Sequence, residues 1–108
     1  MTKVTIYKNE FDECVGFRAY GHAGYDDEGY DIVCAAISVL TINTMNAIEA
    51  FTEEDFSVES NEEEGYIDYR VSDRPTKEST LLLNTMILGL ESIVENYENY
   101  IDLKFEEV

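Results

Sequence analysis

Basic residues are scarce in this chain. Seven Lys and Arg stand against 24 Asp and Glu, giving a formal charge of −17 over 108 residues. Phosphate binding needs a concentrated basic patch, and scattered cations do not make one. Direct nucleic-acid binding is therefore excluded, as is docking on anionic membranes. The start of the chain lacks a secretory n-region and h-region, and no apolar run reads as long enough to span a bilayer, so a cytoplasmic, membrane-free protein is expected. Linkers, repeats and low-complexity stretches are also lacking, so residues 1–108 read as one domain. Histidine is limited to His22, and cysteine to Cys14 and Cys34. Structural zinc sites take Cys and His in fours, and the acids at 26–31 lack the ligand spacing of a calcium loop. No metal and no cofactor is expected.

The two cysteines raise the question of a disulfide. Cys14 lies near the start of a predicted strand running towards His22, and eight strand steps cover roughly 26 Å. If Cys34 lies beside His22 it is out of Cys14's reach, so two free thiols in a reducing compartment are expected. Apolar residues make up 44% of the chain, enough for a core without staples.

Val4 and Ile6, then Val15, Phe17 and Ala19, alternate with other residues and predict two strands joined by a turn at Lys8-Asn9-Glu10. Residues 21–30 read as a long glycine-rich loop, and loops of that length are often functional. Asp31 is the predicted N-cap of a helix over roughly 32–52, with Val33, Ala36, Ile37, Leu40, Thr44, Ala47, Ile48 and Phe51 on its inner face. Phe56 and Val58, then Ile67, Tyr69 and Val71, predict a second hairpin with the acidic run 62–64 at its tip. Arg74-Pro75-Thr76 opens a helix carrying Leu83, Met86, Ile87, Leu90, Ile93, Val94 and Tyr97 at helical spacing, and Ile101, Leu103 and Phe105 alternate as a last strand. The expected fold is α+β, a two-layer sandwich of order ββαββαβ. One mainly antiparallel sheet carries both helices on one face. Tyr66, Tyr69, Tyr97 and Tyr100 read as half-buried strand residues or as an exposed aromatic contact.

The chemistry gathers around residues 21–38. With Asp31 as the cap, Cys34 falls in the first helical turn, where free N–H groups and the helix dipole favour an anion. A thiolate is the reactive form of cysteine, and a nearby imidazole is the usual means of activating it. The same turn offers N–H donors to an oxyanion. Gly21 and Gly24 let the backbone carrying His22 approach a substrate chain. Ser38, one turn beyond Cys34, is a candidate to hydrogen-bond into the site, and Asp31 to orient His22. Each residue has an ordinary alternative. A cysteine in a helix is usually a small buried residue, Asp31 a plain cap, and Ser38 a residue bonded to its own backbone.

Gly21-His22-Ala23-Gly24, followed by Asp31-Ile32-Val33-Cys34-Ala35-Ala36 and Ser38, resembles the signature of the ribosomal-processing cysteine proteases called Prp. Length, acidity and element order are similar too, so the resemblance spans essentially the whole chain. It implies a dyad of Cys34 as nucleophile and His22 as general base and acid. The substrate it implies is the precursor of bacterial large-subunit ribosomal protein number twenty-seven. That precursor would lose a short N-terminal extension after an aromatic residue in an apolar extended motif. A homodimer is also implied. A different kind of function stays open: a non-catalytic acidic module that holds a basic ribosomal or assembly protein.

Overall fold

The computed structural model describes residues 1–21, 28–61 and 63–108, with the side chains of 28–31 outside that description. Its elements are β1 (Thr2–Lys8), β2 (Cys14–Tyr20), α1 (Glu28–Phe51), β3 (Phe56–Asn61), β4 (Tyr66–Val71), α2 (Lys77–Tyr97) and β5 (Ile101–Glu107). The sheet order is β3-β4-β2-β1-β5. All pairings are antiparallel except β1 with β5, where Thr2 faces Ile101 in a parallel ladder. This is the predicted ββαββαβ α+β sandwich, with residues of both helices and one sheet face joined in one core.

Local chemistry explains the connections. The Asn9 carboxamide oxygen accepts from the N–H groups of Phe11 (2.9 Å) and Glu13 (3.0 Å), fixing the β1–β2 turn. Thr76 caps α2, its hydroxyl accepting from the Ser79 N–H at 3.1 Å, and Pro75 precedes it. Gly65, at φ 63°, closes the β3–β4 turn.

The core follows much of the predicted periodicity; Val58, Tyr97 and Phe105 are exposed, and three other departures stand out. Between β1 and β2 the register skips Val15, pairing Tyr7 with Gly16 and Lys8 with Cys14. This bulge turns Cys14 into the core, fully buried, and leaves Val15 half-buried in its place. Helix α1 is the second departure: Phe51, expected on its inner face, is 79% exposed in the last residue, while Cys34 and Thr41 are buried. Thr41 tolerates burial because its hydroxyl donates to the Ile37 carbonyl at 2.9 Å. The third concerns length and composition. Residues Ile32–Phe51 form a helix long and apolar enough to cross a bilayer, contrary to the expectation that no run reaches that length. Here its buried face packs in the core with α2.

Tyr69 resolves the tyrosine question differently at each position. It is fully buried and stacks on Phe17 with ring centroids 5.3 Å apart. Tyr66 lies on the opposite sheet face beside Tyr20, Tyr97 is exposed and Tyr100 is half-buried. Both cysteines are free.

Candidate active site

Helix α1 begins at Glu28, so Asp31 is its fourth residue and Cys34 its seventh. The predicted cap at Asp31 is therefore corrected. Acidic residues are favoured throughout a first helical turn by the dipole, so an Asp marks that turn without fixing which residue starts it. The correction moves Cys34 into the second turn. Its N–H falls within the intrahelical ladder, and the free amides lie a turn away. The dipole's influence fades within the first turn, so it acts on this sulfur less than the sequence suggested.

What does touch the sulfur comes from β1. The Thr2 Oγ1 and Cys34 Sγ atoms are 3.0 Å apart, and either can donate. Both residues are buried, at 4% and 9% exposure. Sequence reasoning missed Thr2 because it lies 32 positions away on another element, where nothing in the pattern marks it.

Cys34 borders a half-open cavity of about 540 Å³ between α1 and the β2, β4 and β3 strands. Such a volume suits a ligand of several linked groups. Ile42, Met45, Val58 and Ile67 supply its apolar lining, and Thr41, Ser60 and Asn61 its hydroxyl and amide groups. Among the described residues no charged side chain lines it, in a chain of net charge −17. That composition suits an apolar, extended segment whose backbone needs hydrogen-bond partners.

The structure brings Cys34, Ser38 and Gly21 to this same cavity, as the sequence grouped them. Gly21 has φ 137°, its N–H donates to the Gly65 carbonyl at 3.1 Å, and a Cβ there would stand 3.1 Å from the Thr2 Cα. Only glycine suits that conformation and that proximity. His22 and Gly24 lie outside the described residues, as does the Asp31 side chain. The other thiol lies elsewhere in the core. Cys14 donates to the Gly16 carbonyl at 3.4 Å, and burial raises its pKa, which keeps it protonated.

The sequence profile of the family described as cysteine protease Prp matches residues 1–102. The chain is 31% identical over 106 residues to the ribosomal processing cysteine protease Prp of Staphylococcus aureus strain Mu50, covering 98% of this chain and 100% of that one. Its fold matches that of the essential ribosomal processing protease Prp from S. aureus in complex with a substrate peptide, with a TM-score of 0.92 and 30% identity over 98% of this chain and 100% of that one. The S. aureus structure with a covalently linked product peptide gives a TM-score of 0.88 at 31% identity and the same coverage.

Proposed function

This chain belongs to the cysteine protease Prp family, and from that premise we propose that Cys34 is its nucleophile, His22 its general base and acid, and the cavity beside α1 its peptide groove. The chain is a cysteine protease, which sets aside the purely binding module. The observation that carries the residue-level reading is the cavity with Cys34 on its wall and, among the described residues, no charged side chain lining it. The relative's covalently linked product peptide supports a nucleophilic route.

In the proposed mechanism His22 takes the Cys34 S–H proton and the sulfur attacks the scissile carbonyl carbon. The C–N bond breaks as His22 returns that proton to the leaving nitrogen. Water then attacks the thioester and gives a proton to His22. The C–S bond breaks, and the carboxyl product departs. Asp31 and Ser38 serve as supporting groups, Asp31 towards His22 and Ser38 towards the bound chain. Gly21 and Gly24 keep the loop backbone slim enough to lie over the substrate.

The substrate in this reading is the precursor of large-subunit ribosomal protein number twenty-seven, cut after an aromatic residue of its N-terminal extension in the cytoplasm. The groove's apolar lining supports an apolar recognition motif, and a charge of −17 attracts a basic ribosomal protein over longer distances. A homodimer completes the proposal, tested by light scattering of the purified protein. The deciding experiment is the intact mass of that precursor before and after incubation. Loss of the extension with the wild type but not with Cys34→Ala is expected. A precursor of unchanged mass with the wild type, or one shortened equally by Cys34→Ala, overturns the reading.

A further inference from the structure

We infer that Thr2 is a catalytic residue whose hydroxyl donates to the Cys34 sulfur and favours its ionised form; the inference rests on Cys34 being the nucleophile. The two side chains meet at 3.0 Å, with 4% and 9% exposure, so water competes little for either.

Thr2 is held in place from several directions. Its N–H donates to the Tyr100 carbonyl at 3.1 Å, and its backbone pairs with Ile101 of β5. On its other side Gly21 comes so near that an added Cβ would lie 3.1 Å from Thr2 Cα and 3.2 Å from the Met1 carbonyl oxygen. The hydroxyl is therefore presented to the sulfur by a fixed strand.

Proton bookkeeping then sets the direction of the bond. While Cys34 is a thiol, either partner can donate. Once the sulfur is a thiolate it has no proton, so the bond survives only with Thr2 donating. A hydrogen bond to a charged acceptor is stronger than one between neutral groups, so the contact favours ionisation. Thr2 keeps its own proton throughout, and the proton that leaves Cys34 goes to His22. The same bond stabilises the sulfur when the thioester breaks and thiolate departs. It supplies, from β1, a stabilisation that the helix N-terminus, lying a full turn away, provides only weakly.

The test uses the full chain and Thr2→Val, which keeps the branched shape and removes the hydroxyl. The alkylation rate of Cys34 by iodoacetamide is followed against pH by peptide mass spectrometry, with the buried Cys14 as internal reference. The midpoint is expected to move to a pH about one higher, as the loss of a charged hydrogen bond allows. Well below that midpoint the alkylation rate should fall roughly threefold rather than tenfold, because a more basic thiolate is also a better nucleophile. For cleavage, kcat is expected to fall with KM unchanged, and Thr2→Ser to recover both readouts. Thr2→Ala reads the same quantity if Thr2→Val fails to fold. An unmoved midpoint and unchanged kcat, with Cys34→Ala inactive, overturn the role of Thr2 alone. Full cleavage by Cys34→Ala overturns the nucleophile assignment beneath it.

Discussion

The two ends of the sheet are built differently. Under β1, β2 and β5 the core is closed: Val4, Ile6, Leu83 and Leu90 are each at or below 1% exposure. At the β3–β4 end the helix layer stands away from the strands, and Val58 is 41% exposed on the wall of the cavity. The helices differ in the same sense. Helix α2 opens on a Thr76 cap with Glu78 in its first turn and carries Glu91 and Glu95 towards its end, with Leu81 and Leu88 exposed in between. Helix α1 has no charged residue from 32 to 48, although much of it faces outwards. One end of this fold is organised for burial and the other holds the cavity proposed to receive a chain, and Cys34 stands on that cavity's wall, reached by Thr2 from the closed end.

Substitutions can separate the two ends. Leu90→Ala, in the closed end, should cost about 2–5 kcal/mol of stability, the usual range for a buried leucine, read as a lowered midpoint in urea unfolding. Val58→Asp should do the reverse. It should leave the unfolding midpoint within about 1 kcal/mol, as expected for a partly exposed position. By placing a charge in the groove it should raise KM for an apolar peptide about tenfold, the equivalent of 1.4 kcal/mol. A large stability loss from Val58→Asp with KM unchanged would show that the open end is a core like the other.

Tyr69→Phe probes the floor beneath both ends. The Tyr69 hydroxyl is buried with no hydrogen-bond partner among the described residues, and burial keeps it protonated by raising its pKa well above the ordinary tyrosine value. Removing an unsatisfied buried hydroxyl should leave stability unchanged or raise it by about 1 kcal/mol. A loss above that would reveal a partner for the hydroxyl. The smallest effect belongs to the surface pair of Arg74 with Glu13, at 2.9 Å. The Arg74 hydrogen bond lowers the Glu13 pKa, with a second contribution from Asn9. A lowered carboxylate pKa gives stability that is present above the unfolded value of about 4.3 and is lost as pH falls through the folded value. Glu13→Gln should therefore unfold slightly earlier than the wild type at neutral pH, with the gap closing below about pH 4.

Much of the architecture was legible because periodicity reports which residues face inwards. Leu83, Met86, Ile87 and Leu90 sat at helical spacing and are buried, and Phe17 and Ala19 alternated and are buried. Val15 misled because a bulge changes parity without changing composition, and a single skipped residue moved Cys14 into its place. Asp31 misled because acids suit several positions of a first turn. Ser38 and Gly21 were found because they lie near Cys34 along the chain. Ser60 and Asn61 were not, since they reach the cavity from the far hairpin.

Composition and spacing alone determined the ββαββαβ order, the apolar faces and the motif that resembles a protease family, because these depend on neighbours within a few residues. Tertiary structure decided the rest. The parallel pairing of β5 with β1, the Gly21 backbone beside Thr2, and the 3.0 Å meeting of that threonine with Cys34 arise only when elements cross. Which hydroxyl comes to face a sulfur 32 residues away is set by how strands and helices pack, and a one-dimensional pattern carries no record of that.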